Sequence, residues 1–292
     1  MKITKFIPKG AIALNMTPST KQEAIDILID LLAKSNIIKD KKSVRKDVLA
    51  REAGGSTGLG NGLATPHAQN NSIKKPAISV ITVPNGVEFD SIDGRPARLL
   101  FLFAAPEKAD DKSLTEMGRL AVLLMDPEFK EALINAKTVE EFTSLIEAKE
   151  AERAASEAKS APLSERVKVL AVTACPTGIS SAHMAAEALK QAAWKRGVAI
   201  HVETRGAEGV YDELTDEDIK EADAIIVAAS AQVPTYRFNG KRLIQTAVIT
   251  GINKPDQLLE RVLSGQAPIH HQEDDDTSFT SKILKKIKSL FS

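Results

Sequence analysis

Apolar positions recur along the chain with two periods, one helical and one extended, and the alternation marks out its elements. Thr20 and Glu23 have capping-box spacing, and Ile25, Leu28, Leu31 and Leu32 follow on one helical face. Val44 to Ala53 also reads as helix. Asp126-Pro127 opens a short helix through Ala136, and Thr138 with Glu141 caps another. Ala77–Val83 and Leu99–Phe103 are rich in β-branched or aromatic residues and read as strands. This half is α/β or α+β, and periodicity alone leaves its topology open. From Val167 onward the alternation is cleaner. Val167–Thr173, Val198–Glu203, Asp223–Ala229 and Leu243–Val248 read as strands. Ser180–Lys195, a short helix opened by Thr215 and Asp218, and Pro255–Leu263 read as helices. Strand, loop, helix and strand repeated in this way predict a small parallel sheet with helices on its faces.

Between the halves, Glu147 to Glu165 reads EAKEAERAASEAKSAPLSE, with no apolar stripe to bury. Such a composition favours a semi-rigid helical spacer ending near Pro162, or an exposed last helix of the first domain. The expected division is residues 1–148, a linker 149–165, a second domain 166–267, and a tail 268–292. That tail is acidic at Glu273 to Asp276, then basic and amphipathic from Ser281 to Phe291. A lysine-bearing helix of this kind suits membrane-surface docking, and a short frayed tail is the plainer reading.

Composition narrows the class. The 292 residues are 43% hydrophobic and 27% charged, enough for two cored domains. Lys plus Arg equals Asp plus Glu at 39 each, a poor balance for sequence-independent nucleic-acid binding. The longest apolar run, Leu99 to Ala105, is far short of the roughly 20 residues of a membrane span. The first fifteen residues lack the pattern of a signal peptide. Cys175 is the one cysteine, so neither an intramolecular disulfide nor a cysteine-rich zinc site is available. No residue pattern demands a metal or other cofactor. His201 is expected to face outward from a strand, and His270-His271 to point opposite ways on an extended segment, a poor metal pair.

Two stretches carry candidate chemistry. Gly54 to His67 reads GGSTGLGNGLATPH, and its five glycines can turn several backbone N–H groups towards one point. Gly58-x-Gly60 is followed by Leu63 where a dinucleotide fingerprint needs glycine, so that reading is rejected. A loop histidine taken alone is more often structural. The whole string, with Arg51-Glu52 before it, strongly resembles the active-site stretch of the fructose/mannitol-type enzyme IIA domain of the bacterial phosphotransferase system. The resemblance covers roughly residues 1–148 and implies a mixed-sheet α/β sandwich. It implies that His67 is the phosphorylated residue, through its tele nitrogen, with Arg51, Thr57 and Gly60 in support. Where that family carries a second histidine this chain has Ser113, whose hydroxyl can hydrogen-bond a phosphate oxygen but brings no positive charge.

Cys175 lies where the strand VKVLAVTA meets Pro176-Thr177-Gly178 and a helix. Most lone cysteines are buried packing residues. At a βα turn, though, the unpaired N–H groups of a helix start lower a thiol's pKa and can hold a phosphate. A tyrosine-phosphatase site would need arginine at position 181, which is Ser181. The string VTACPTG…MAAEAL, with VETRGAEGV and LTDEDI, closely resembles the fructose-type enzyme IIB domain over Val167 to Gly265. The resemblance implies a Rossmann-like small parallel sheet and a phosphocysteine at Cys175, with Pro176, Thr177, Gly178, Ile179, Ser180 and Ser181 forming the phosphate loop. The family pattern departs at Ser181, Ala182 and His183, and His183 is expected to be a solvated helix residue rather than to face the phosphate from the first helical turn.

Taken together, the resemblance implies a cytoplasmic phosphoryl relay from HPr, or a similar phosphocarrier, to His67 and then Cys175. From there the group would reach a sugar, fructose or a relative, held by a membrane enzyme IIC permease on a separate chain. Attachment to the inner membrane face would come through that permease or the C-terminal helix. The first domain is expected to swing between partners. The rival reading is a regulatory sensor that is phosphorylated without sugar transfer.

Overall fold

The computed structural model describes residues 3–159, 164–175, 181–206 and 209–271, without the side chains of 111 and 156–167. The basic amphipathic stretch from Ser281 to Phe291 and the loop residues Pro176, Thr177, Gly178, Ile179 and Ser180 lie outside the described residues.

The first domain is built from β1 (Ile12–Ala13), α1 (Lys21–Lys34), α2 (Lys41–Ala53), β2 (Gly58–Gly60), β3 (Leu63–Ala64), β4 (His67–Gln69), β5 (Ala77–Val87) and β6 (Ala97–Ala105). Three helices follow: α3 (Asp111–Leu123), α4 (Pro127–Asn135) and α5 (Val139–Lys159). Its sheet runs β1-β5-β6-β3-β2, with β4 also paired to β6. The β5–β6 pair is antiparallel, while β1–β5, β3–β6 and β4–β6 are parallel. β5 and β6 are buried on both faces, which is why they read as near-continuous apolar runs. One face packs on α1 and α2 through Ile25, Leu28 and Val48, the other on α3, α4 and α5 through Leu120, Leu133 and Phe142. Thr20 caps α1 by accepting the Glu23 N–H, while Glu23 turns back to the Ser19 N–H rather than to Thr20.

The second domain comprises β7 (Ser164–Ala174), α6 (Ser181–Lys195), β8 (Val198–Gly206), β9 (Gly209–Tyr211), α7 (Asp216–Glu221), β10 (Ala224–Ala229), β11 (Arg242–Thr246), α8 (Val248–Asn253) and α9 (Pro255–Leu263). The order β11-β10-β7-β8-β9 is parallel except for β9, so the chain reverses direction across the sheet between β7 and β10. In open α/β sheets ligands bind at the carboxyl ends of the strands beside such a switch point, and Cys175 follows β7 there. The expected strand to Val248 ends at Thr246, because Val248 already starts α8.

The stretch 149–165 is more than a bare tether. α5 continues through Lys159, and β7 has begun at Ser164. Glu150 accepts the Ile3 N–H at 2.8 Å, and Arg153 lies 3.5 Å from Glu187 of α6. Charged residues without an apolar stripe thus still find fixed partners. The two domains also dock directly. Met184, Ala185, Val248 and Ile252 join the apolar cluster of Phe101 and Leu120, and Arg119 of α3 reaches Glu187 at 3.2 Å.

Gly118 sets how closely α3 approaches α6. A Cβ there would stand 3.2 Å from the backbone carbon and oxygen of His183. Gly118→Leu should therefore push the domains apart while leaving each folded. Small-angle scattering should report a larger radius of gyration with unchanged far-ultraviolet dichroism, and an unchanged radius would refute this account of the docking.

Candidate functional site

His67 opens β4, and its backbone is set by pairing with Phe103 and by the Phe103 N–H bonding the Pro66 carbonyl at 3.0 Å. The side chain is 2% exposed. Its Nδ1 lies 3.0 Å from the Thr65 carbonyl, which can only accept, so Nδ1 carries the hydrogen and Nε2 the lone pair. Arg51 projects from the last turn of α2, just before the helix stops at Gly54 and Gly55, the latter with a φ of 138°. Its Nε donates to His67 Nε2 at 3.0 Å and its Nη1 to the Gly55 carbonyl at 2.8 Å. Burial, then the Arg51 charge, lower the His67 pKa to about 4 against the weaker opposite pulls of the Thr65 carbonyl and Glu52. The imidazole is neutral at pH 7, with its nucleophilic nitrogen held by a cation.

Glu52, next to Arg51, organises the glycine loop. Its buried carboxylate accepts the Thr57 N–H at 2.9 Å and hydroxyl at 2.6 Å, and Lys21 reaches it at 2.7 Å. At Gly58 a Cβ would stand 2.8 Å from the Ser91 Cα, so only glycine fits. The glycines divide by task. Gly60 and Gly62 have φ of 85° and 75° and flank Asn61 in the β2–β3 hairpin, the Asn-Gly geometry of a two-residue turn. Gly54, Gly55 and Gly58 line the cavity described below. Asp110 caps α3, and Ser113 in the first turn donates its N–H at 2.9 Å and its hydroxyl at 2.7 Å to the Asp110 carboxylate. Among the described residues no hydrogen bond joins it to His67.

Cys175 is 4% exposed at the end of β7, and its N–H donates to the Arg205 carbonyl at 3.2 Å. A cavity of about 490 Å³ between the domains is lined by Arg51, Thr57, Gly58, Cys175, Ser181 and Ser230. Residues far apart in sequence, from both candidate stretches, therefore line one cleft. His183 does not follow expectation: it is 3% exposed, packed by Gly118 of α3, with its ring tilted 53° to the Tyr211 ring at a centroid distance of 5.8 Å. Helical spacing could not show that α3 covers this turn. Burial lowers its pKa to about 4, with Lys190 adding to the shift. His201 faces outward near Asp218, as expected of its strand position. No cluster of three metal-ligating side chains occurs among the described residues, and no helix among them is long and apolar enough to cross a membrane.

Comparison with known proteins places these residues in a family. Residues 5–149 match the family described as phosphoenolpyruvate-dependent sugar phosphotransferase system, EIIA 2, and residues 170–261 match PTS system, lactose/cellobiose specific IIB subunit. A Haloferax volcanii protein named PTS system fructose-specific EIIA component is 31% identical over 47% of this chain and 88% of its own length. The chain belongs to the phosphotransferase-system enzyme II family. The Bacillus subtilis PTS system fructose-specific EIIABC component is 40% identical over 92% of this enzyme II chain, which spans 43% of that protein. A Pseudomonas aeruginosa protein named nitrogen regulatory protein is 27% identical over 50% of the chain and 95% of its own length.

Arg51 of the EIIA domain and Cys175 of the IIB domain line one cavity. Sequence reading missed Glu52 and Lys21 as organisers of the glycine loop. The only signal available was the charged pair Arg51-Glu52 at a helix end, which marked one residue and left the other without a task.

The low His67 pKa has a thermodynamic consequence. An unfolded histidine titrates near 6.5 and His67 near about 4, so between those values the unfolded chain binds more protons. Stability from this group is therefore full above 6.5 and falls as pH drops towards 4, by at most about 3 kcal/mol. In nitrogen-resolved NMR, His67 should stay neutral with a proton on Nδ1 from pH 8 down to about 5. A midpoint near 6.5 would contradict the buried, arginine-held imidazole.

Proposed function

We propose that the chain is a phosphoryl relay, taking phosphate from phospho-HPr or a similar carrier onto His67, then onto Cys175, then onto a sugar at an enzyme IIC permease. Fructose or a related sugar is the best candidate, since relatives over most of the chain are named fructose-specific. The relay is taken to work on the cytoplasmic face of the membrane. One observation carries the reading: Arg51, bonded to His67 Nε2, and Cys175 line the same cavity.

The chemistry follows from the protonation state. The His67 Nε2 lone pair attacks phosphorus as the donor's P–N bond breaks and the electron pair leaves with the donor imidazole. His67 keeps its Nδ1 proton, and the phosphorylated ring carries positive charge that the Thr65 carbonyl stabilises at 3.0 Å. Arg51 must release Nε2 for this attack, and its guanidinium then suits the phosphoryl oxygens. In the second step the Cys175 thiolate attacks, the S–P bond forms, the P–N bond breaks, and the pair returns to Nε2. Both steps are substitutions at phosphorus, so positioning and electrostatics provide the catalysis.

A second reading, a regulatory sensor, draws on the likeness of the first half to a protein named nitrogen regulatory protein. It is also favoured by Ser113, whose hydroxyl is committed to Asp110. Phosphorylation of a sugar by the chain together with a matching permease would exclude it.

With labelled phospho-HPr, His67→Ala should abolish labelling, and Cys175→Ser should trap acid-labile phosphate on His67. Labelling of Cys175 in His67→Ala would refute the order of transfer. Arg51→Gln should slow His67 labelling by about 100-fold, the range typical of losing one stabilising donor, and a parental rate would remove Arg51 from the mechanism.

A further inference from the structure

Strand β8 carries charged residues that the relay, as proposed, leaves without a task. Glu203 is fully buried. It accepts Arg237 Nη2 at 2.6 and 2.7 Å, Arg205 Nε at 2.5 Å and the Leu214 N–H at 2.9 Å. Burial alone would raise its pKa, yet Arg237, the Leu214 amide and Arg205 together hold it below the usual carboxylate range. One carboxylate thus faces two guanidiniums, and one positive charge is left over at the carboxyl end of the sheet.

The two arginines are not equivalent. Arg237 is engaged on both Glu203 oxygens and lies 4.7 Å over the Phe238 ring, with its Nε buried and without a partner. Arg205 gives only Nε to Glu203, and among the described residues its two Nη groups have no hydrogen-bond acceptor. Its side chain, 22% exposed, lines a cavity of about 230 Å³ together with Cys175, Gly206, Gly209 and Gln232. A water's share of liquid volume is about 30 Å³, so this space has room for a phosphoryl group and solvent. The cavity cannot separate from the thiol, because Cys175 N–H bonds the Arg205 carbonyl and Ala174 pairs with Arg205 across β7 and β8.

We propose that Arg205 is a catalytic residue of the second transfer, its free Nη groups binding the phosphoryl oxygens on Cys175, with Glu203 and Arg237 as positioning residues. The proposal rests on the relay reading. As the S–P bond forms and the P–N bond to His67 breaks, with its electron pair returning to Nε2, the phosphoryl group leaves one cation, Arg51, for another. Glu203 locks the planar guanidinium at Nε and so aims the remaining fork at the cavity, a geometry matched to a phosphoryl group.

The test uses the full chain with labelled phospho-HPr, separating acid-labile phosphate on His67 from phosphate on Cys175. Arg205→Gln should label His67 at the parental rate and Cys175 about 10- to 100-fold more slowly, the loss expected for a charged hydrogen bond. Arg205→Lys, which keeps the charge but loses the fork, should recover only part of that rate. A parental Cys175 rate in Arg205→Gln overturns the proposal, as does a folded Arg205→Lys no faster than Arg205→Gln. A second measurement does not need the relay: inorganic phosphate should slow alkylation of Cys175 by iodoacetamide in the parent and in Arg205→Lys, but not in a folded Arg205→Gln, and protection retained in Arg205→Gln overturns the proposal. Absence of protection in the folded parent also overturns the proposal. If the parent labels on neither residue, the relay reading itself fails, and protection by phosphate still decides for or against Arg205.

Discussion

The approach of α3 to α6 is the constraint on which the shared site depends. Gly118 presents no side chain to the His183 backbone, where a Cβ would stand 3.2 Å away, and the apolar cluster around Phe101 and Leu120 extends into Met184, Ala185 and Val248 of the second domain. With that contact made, the loop after α2 and the end of β7 face each other across one cavity. Without it, each would be a separate surface pocket on its own domain. Glu187, itself buried, pairs with Arg119 and Arg153 across the same contact, so loss of either arginine would leave a buried carboxylate less compensated.

Within that arrangement the two domains use one electrostatic scheme. Each puts a candidate nucleophile in a nearly dry setting and has a guanidinium near it, held by a carboxylate or a carbonyl. In the first domain Arg51 is held by the Gly55 carbonyl while Glu52 braces the loop through Thr57. In the second, Glu203 braces Arg205 and Arg237. Low exposure strengthens each interaction with a developing charge, and pre-set partners avoid reorganisation at the moment of transfer. The docked domains also change the view of the linker. α5 is part of the packed structure, so any swing of the first domain must first break the Glu187 ion pairs and expose the shared apolar cluster.

What the sequence determined by itself was local. Capping residues such as Thr20, Asp126 and Thr215, the apolar runs of β5 and β6, and the strand–helix alternation of the second half were legible because each depends on neighbours a few residues away. The candidate nucleophiles His67 and Cys175 were legible for the same reason, as contiguous strings. What only the tertiary structure decided depends on partners far along the chain. The burial of His183 under α3 reversed its expected exposure, because helical spacing does not reveal what covers a helix. The hold of Arg51 on His67 Nε2, the pairing of Glu203 with Arg237 thirty-four residues away, and the meeting of Arg51 and Cys175 on one cavity are likewise invisible to periodicity. A hydrogen bond or a packed face is a relation between two surfaces, and one stretch of sequence describes only one of them.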